Sequence, residues 1–199
     1  MFSKKVCTLL LLAASCFYVP YSGAQSLSAD AAKPASTTAS ADVPVSSAGF
    51  DAAAGPALQA MKARAEELKI GGAAVLAYFE GDKIESWSSK MLVVGRMRDD
   101  PTATDKGANL IGIAYAKAAE MADTLKDSGS GVRPPMTGEF GWQGGVIVRV
   151  KTGYIIAAFS GGKSEDDVAV SRAGAGKIIE EVGKTAFRFR KQAVLGDQA

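Results

Sequence analysis

Apolar residues recur at steps of three and four in two stretches, the spacing that places side chains on one helix face. The first stretch predicts a helix from about residue 51 to 69, ended by Gly71-Gly72. The second predicts a helix from residue 105 or 106 to 126. Its apolar surface is broad enough for burial between layers or for an oligomer contact. It has two ladders: Leu110, Ala114, Ala118, Met121 and Leu125, and Ile111, Tyr115, Ala119 and Ala122.

Four β-rich runs form two predicted hairpins. The first joins residues 73–79 and 83–94 through a turn at Glu80-Gly81-Asp82. The second joins residues 146–150 and 154–159 through Lys151-Thr152-Gly153. Gly153 is expected to take the positive φ that a tight hairpin needs.

A glycine-rich elbow, Ser160-Gly161-Gly162, turns the chain from the second hairpin into a last helix. Ser164 and Asp167 have the spacing of a capping box, and the acidic residues 165–167 suit the positive end of a helix dipole. The helix continues with an apolar ladder that has Ser171 on the same face. The ladder is Val168, Ala175, Ile178 and Val182.

The predicted order α-β-β-α-β-β-α indicates a single domain of the α+β class, with an antiparallel sheet flanked by helices in a layered sandwich. Residues 96–106 are polar and contain Pro101, so we predict a loop there. Residues 128–143 form a second, longer loop. Loops of that length in a compact domain are usually functional or mobile.

The segment 144–176 resembles the GlcG/HbpS-like haem-binding family, which also includes the C-terminal domain of PduO-type proteins. The shared features are a glycine pair before a hairpin, an SGG elbow, an acidic helix start and an alanine-glycine helix. Here they are Gly144-Gly145, Ser160-Gly161-Gly162, Asp166-Asp167, and Ala169 through Ala173-Gly174. The resemblance covers roughly residues 50–184. It implies an α/β sandwich, a haem or other small-molecule ligand, and assembly into a homo-oligomer.

The N-terminus has the pattern of a signal peptide over residues 1–24. Lys4 and Lys5 precede an apolar run too short to span a bilayer, and Ser22-Gly23-Ala24 is a small-x-small cleavage site. Lipidation at Cys16 is the alternative, but leucine is missing three residues before it. We therefore expect a periplasmic or secreted protein cleaved after Ala24.

Three further segments follow the predicted signal peptide. Residues 25–48 are rich in Ala, Ser, Thr and Pro, which predicts a disordered linker. Residues 49–185 form the GlcG/HbpS-like domain. Residues 186–199 form a C-terminal tail, whose alternating aromatic and basic residues indicate an edge strand or a fraying helix end.

The chain contains no histidine, and both cysteines, Cys7 and Cys16, lie in the predicted signal peptide. This excludes a Ser-His-Asp triad, a histidine metal site and, after cleavage, a disulfide or thiolate nucleophile. We assign no catalytic residue and no metal site. The formal charge of +2 falls to zero when Lys4 and Lys5 are removed. A neutral chain gives no electrostatic basis for binding nucleic acid or a membrane.

Without histidine, a side-chain ligand to haem iron has to come from methionine, tyrosine or lysine. Tyr115 and Met121 fall on helical ladders and are expected in the core. Lys117 matches a lysine-alanine pair in the central helix of the resembled family, and is either a buried cation or a solvated stem. The candidates are Met97, Met121, Met136, Tyr115, Tyr154 and Lys117.

The elbow is the second candidate binding element. Its successive N–H groups can form an anion nest for a propionate, carboxylate or phosphate, although Ser164 and Asp167 compete for the same donors. Trp142 either seals a sheet edge or forms a ligand platform. Arginine forks near the predicted loops suit carboxylates. The predicted ligand-binding set is Arg96, Lys117, Arg133, Met136, Ser160, Gly161 and Gly162.

These features predict an exported protein that binds haem or another flat, anionic small molecule. The alternative is a periplasmic accessory protein or enzyme for a small oxygenated metabolite, such as a hydroxy acid or a diol. A third hypothesis is an assembly protein with a vestigial pocket.

Overall fold

The computed structural model describes residues 39–196, with side chains described as far as Thr185. The predicted signal peptide, both cysteines and residues 25–38 of the predicted linker lie outside the described residues. Within the described part the chain forms seven strands and three helices. They are β1 Ala39–Ser40, α1 Ser47–Glu67, β2 Gly72–Glu80, β3 Ser88–Val94, β4 Arg98–Asp99, β5 Ala108–Asn109, α2 Leu110–Thr124, β6 Gly145–Val150, β7 Gly153–Ser160 and α3 Ser164–Gly196.

The main sheet has five strands in the order β1-β6-β7-β2-β3. Its four long strands are antiparallel, whereas the short β1 runs parallel to β6. The sheet is therefore mixed. β4 and β5 pair separately as a two-stranded ribbon. The predicted α+β class, with helices packed on a sheet, is confirmed.

Both faces of the sheet are buried. Alternate residues of β7 serve opposite faces: Ile155, Ala157 and Phe159 pack in the core formed with α1 and α3, and Ile156 and Ala158 pack in the core formed with α2. Burial on both faces explains why β7 is an unbroken apolar run, and not an alternation of apolar and polar residues. The second predicted hairpin is confirmed, with Ile147 opposite Ile156.

The disordered-linker prediction is wrong for residues 39–46. The amide of Ala41 donates to the Arg149 carbonyl at 2.9 Å, and the Tyr78 hydroxyl donates to the Val45 carbonyl at 2.7 Å. This segment has little apolar surface, but the exposed backbone of the edge strand β6 supplies hydrogen-bond partners for it. Pairing of that kind depends on the sheet edge and has no signature in local composition.

Two helices begin at residues other than those predicted. α1 starts at Ser47, because the Ser46 hydroxyl accepts the Gly49 N–H as an N-cap. α2 starts at Leu110, later than predicted, because β5 and the positive φ of Gly107 occupy the preceding residues. Asn109 caps α2 through the Gly112 N–H at 3.0 Å.

Three further boundaries differ from the predictions. β3 begins at Ser88, so a longer connection over residues 81–87 replaces the tight first hairpin. Residues 98–99 pair as β4, where a loop was predicted. Residues 186–196 continue α3 as far as Gly196, so of the two alternatives for the tail the structure shows a helix end and not an edge strand. No helix of residues 39–196 is long and apolar enough to cross a membrane.

Gly153 is required for a reason other than the predicted one. It does not adopt a positive φ, because the turn consists of Lys151 and Thr152 and Gly153 already pairs with Val150. A Cβ atom at Gly153 would lie 2.0 Å from the Phe79 carbonyl oxygen. The close approach of β2 therefore restricts this position to glycine.

We expect Gly153→Ala to lower the free energy of unfolding by about 1–3 kcal/mol, because the backbone of β2 would have to move. The control is Gly55→Ala, at an exposed position of α1 where a Cβ would meet nothing within 4 Å. It should raise stability by about 0.5–1 kcal/mol. Urea denaturation measures both, and equal stabilities of the two variants would contradict the close-approach explanation.

Candidate functional site

A cleft of about 490 Å³ lies where β7 ends, between the N-terminal half of α2 and the start of α3. It combines buried apolar side chains with polar groups and an indole. The lining residues are Asp99, Ala108, Leu110, Ile113, Lys117, Trp142, Gln143, Ser160, Gly161, Gly162, Lys163, Ser164 and Asp167. Four predicted ligand-binding residues, Lys117, Ser160, Gly161 and Gly162, therefore lie in one cleft.

Lys117 is a buried cation at this cleft, with 3% of its surface exposed. Its Nζ donates to the Phe159 carbonyl and to Asp167 Oδ2, both at 2.8 Å. Gly144 leaves room for the ammonium, since a Cβ there would lie 2.2 Å from Nζ. Of the two alternatives that the sequence left open, the structure shows the buried cation.

Asp167 joins the elbow to this lysine. Its Oδ1 accepts the Gly162 N–H at 2.8 Å, and the Gly161 N–H also stabilises the carboxylate. The predicted capping box is therefore wrong, because the Asp167 carboxylate binds Lys117 and the elbow and does not bind Ser164. The nest formed by the elbow is occupied by a carboxylate of the protein itself.

Burial acts against both charges of this pair. Desolvation lowers the pKa of Lys117 and raises the pKa of Asp167, while their mutual attraction opposes both shifts. An ammonium and a carboxylate this deeply buried are stable only as partners. The pair is also a link between layers, since α2 and α3 lie on opposite faces of the sheet.

Arg96 lies beside the cleft and supports its wall. Its guanidinium donates to the Gly161 carbonyl at 2.7 Å and forms an ion pair with Asp99, a cleft residue. Arg96 thus connects the strand ribbon to the elbow. Both Nη groups of its guanidinium take part in these contacts.

Arg133 and Met136 do not line the cleft. Arg133 forms two hydrogen bonds with Glu139, at 2.7 and 2.8 Å, and donates to Asp123 at 2.6 Å. Met136 is 53% exposed, and its amide donates to Glu139. These contacts hold residues 128–143 together, so Arg133 organises the loop.

Trp142 projects from that loop to the mouth of the cleft, where it is 52% exposed. Its ring stacks on Phe140 with centroids 4.8 Å apart. Of the two alternatives for Trp142, the position at the cleft mouth is the one required for a ligand platform.

The other candidate iron ligands lie away from the cleft. Met121 packs under Gly145, where a Cβ would meet its methyl group at 2.3 Å. The Tyr115 hydroxyl is 3.3 Å from Ser89 Oγ, and Tyr154 stacks on Phe79. Met97 borders a neighbouring groove. Among the described residues, no group of three or more Asp, Glu, His or Cys side chains is placed to hold a metal ion.

Sequence reasoning missed Leu110, Ile113, Gln143 and Lys163 as cleft residues. A signal for the site did exist: Lys117 lies four residues from Ile113 and four from Met121, on an apolar face of the helix. A charge within an apolar stripe requires a buried partner. The sequence does not show which residue that partner is.

In comparisons with known proteins, no family model and no curated protein matches this chain. The fold and cleft by themselves define the class: a layered α+β protein with a ligand-sized cleft beside a buried ion pair.

We expect Lys117→Met to lower the free energy of unfolding by about 3–5 kcal/mol, because it leaves the Asp167 carboxylate buried without its cation. Asp167→Asn should also destabilise the protein, and the double variant should lose less than the sum of the two. The control Lys62→Met removes one partner of an exposed pair with Glu66 and should cost less than about 1 kcal/mol. If urea denaturation shows that the double variant loses the sum of the two single losses, Lys117 and Asp167 are not coupled.

The Arg133–Glu139 ion pair predicts that the folded protein loses stability at acid pH. Hydrogen bonds from Arg133 lower the pKa of Glu139 to about 2 from an ordinary value of 4.5. Because the folded-state pKa is depressed, this stabilisation is complete above about pH 4.5 and is lost as the pH falls towards about 2.

Glu139→Gln should therefore lose more stability at about pH 7 than at about pH 3 when compared with the wild type. Urea denaturation followed by tryptophan fluorescence measures this difference. Glu85→Gln is the control, because Glu85 is exposed and has no ion-pair partner among the described residues. An equal loss at both pH values would show that the Glu139 carboxylate does not stabilise the loop.

Proposed function

We propose that this chain is an exported small-molecule-binding protein and that its ligand occupies the cleft at the end of β7. The observation that carries the proposal is the composition of this cleft. Leu110 and Ile113 form a buried apolar wall, Trp142 lies half-exposed at the mouth, and Ser160 contributes a polar group. Clefts of a few hundred Å³ that combine apolar walls with a few polar groups are typical of ligand sites.

Binding is better supported than catalysis. Ser160 and Ser164 line the cleft, but the chain has no histidine to activate a hydroxyl. Lys117 is held by Asp167 and by a backbone carbonyl. The cleft thus offers donors and surfaces that hold a ligand in place, on elements fixed by the sheet.

Haem is the ligand that the family resemblance implies, but the cleft lining does not fit a side-chain-ligated iron. Lys117 is the one candidate iron ligand among the described cleft residues, and it would have to lose a proton and with it the positive charge that pairs with the buried Asp167 carboxylate. A haem held here would depend on its ring and propionates. We therefore rank haem below smaller ligands.

A second candidate is an accessory protein or enzyme for a small oxygenated metabolite such as a hydroxy acid or a diol. The hydroxyl of Ser160 and the amide of Gln143 favour it, because both can bind ligand oxygens.

We further propose a homo-oligomer, although not through the helix surface predicted from sequence. Much of α2 is buried against the sheet. The loop over residues 128–143 instead exposes a group of large apolar side chains, and such groups often mark contact surfaces. They are Val132, Met136, Phe140 and Trp142.

Native mass spectrometry of protein purified from the periplasm tests both proposals together. We expect a small-molecule adduct on the wild type and on Ser164→Ala. Ser164→Trp should lose the adduct, because Ser164 is a half-buried cleft residue and an indole there would fill the space. The same spectra give the assembly mass, and a single-chain mass would contradict the oligomer.

Two outcomes would contradict ligand binding in the cleft. The first is an adduct that Ser164→Trp retains. The second is a wild type that carries no adduct and whose melting temperature does not change with carboxylates, diols or haem. A Soret shift that saturates at one haem per chain would restore haem as the ligand.

A further inference from the structure

The floor of the cleft contains a hydroxyl that the protein leaves unused. Ser160 is 4% exposed and follows Ala158 on the face of β7 that packs towards α2. Its Oγ has no hydrogen-bond partner among the residues that the structure describes. The oxygen itself is not enclosed, since Ser130 Oγ is the one fully buried side-chain atom without a partner among the described residues. Because Ser160 lines the cleft, a ligand atom there can reach this hydroxyl.

Lys117 also has unused donor capacity. An ammonium carries three protons, and the structure provides two acceptors, the Phe159 carbonyl and Asp167. Because Lys117 lines the cleft, a ligand oxygen there can accept the third proton. Ser160 and Lys117 both offer donors, so the ligand group that meets them must be an acceptor.

The charges around the cleft indicate how negative that acceptor is. Lys117 is paired with Asp167, and Arg96 is paired with Asp99. Lys163 lines the cleft and has no ion-pair partner among the described residues. Glu165 and Asp166 follow it at the start of α3 but are not among the lining residues. Lys163 is therefore the charged lining residue without a partner, and a single negative charge on the ligand can pair with it.

The rest of the cleft is suited to a group without charge. Leu110 and Ile113 are buried, and the half-exposed ring of Trp142 stands at the mouth. An indole in this position favours a flat, apolar ligand body, which it can contact face to face.

We infer that the ligand is a monocarboxylate with a flat, apolar body, and this inference rests on the proposed binding function. Its carboxylate accepts hydrogen bonds from Ser160 Oγ and from the third proton of Lys117, with Lys163 supplying the balancing charge. Its body lies against Trp142 and the apolar wall. Ser160, Lys117 and Lys163 are then the residues that determine specificity.

Calorimetric titration with benzoate tests the inference, with benzamide as a neutral probe of nearly the same shape. We expect benzamide to bind at least about tenfold more weakly, because it replaces a charged acceptor by a neutral amide. Ser160→Ala should weaken benzoate about fivefold, the usual effect of one lost hydrogen bond. Lys163→Gln should weaken benzoate and reduce its dependence on salt.

Lys151→Gln is the matched control, because it removes the same charge at an exposed turn at the opposite end of β7. It should leave benzoate binding unchanged. Equal affinities for benzoate and benzamide would overturn the inference. So would unchanged benzoate binding in both Ser160→Ala and Lys163→Gln.

Failure of this inference differs from failure of the proposed function. If the wild type carries an adduct that Ser164→Trp loses, but benzoate neither binds nor displaces it, the cleft binds a ligand of another class. If no adduct and no thermal shift are found with any ligand, the binding function itself fails.

Discussion

The ion pair between Lys117 and Asp167 is the interaction on which the site depends. It connects α2 on one face of the sheet with α3 on the other, at the point where β7 ends. Because Asp167 also accepts the Gly162 N–H of the elbow, one carboxylate fixes both the helix start and the cleft floor. Gly144 makes this possible, since only a residue without a side chain leaves room for the ammonium.

The same pair explains why the elbow is unsuited to bind an anion directly. Asp167 accepts the Gly162 N–H, so a carboxylate of the protein competes for the elbow as the cap interpretation required, although Ser164 takes no part. The hydrogen-bond donors that a ligand can reach belong to two buried side chains of the cleft lining, Ser160 and Lys117. In the proposed binding function, specificity therefore comes from side-chain donors and from the charge of Lys163, with the glycines supplying the space.

The long loop provides the third part of the site, and its order has an electrostatic origin. Arg133 binds Glu139 within the loop and Asp123 at the end of α2, and so fixes the segment that carries Trp142. An arginine expected to bind a ligand instead holds the loop against the helix. The two roles require the same residue type and the same loop position, and the sequence could not distinguish them.

The four long strands, the three helices and the elbow could be predicted from the chain alone, because they depend on apolar periodicity and on glycines close in the chain. Three features required the packed layers: residues 39–40 pair with β6, Gly153 lies against the backbone of β2, and Asp167 binds Lys117. Each of these depends on a partner far away in the chain. Local patterns show that a buried charge or an edge amide needs a partner, but the packing of layers selects which one.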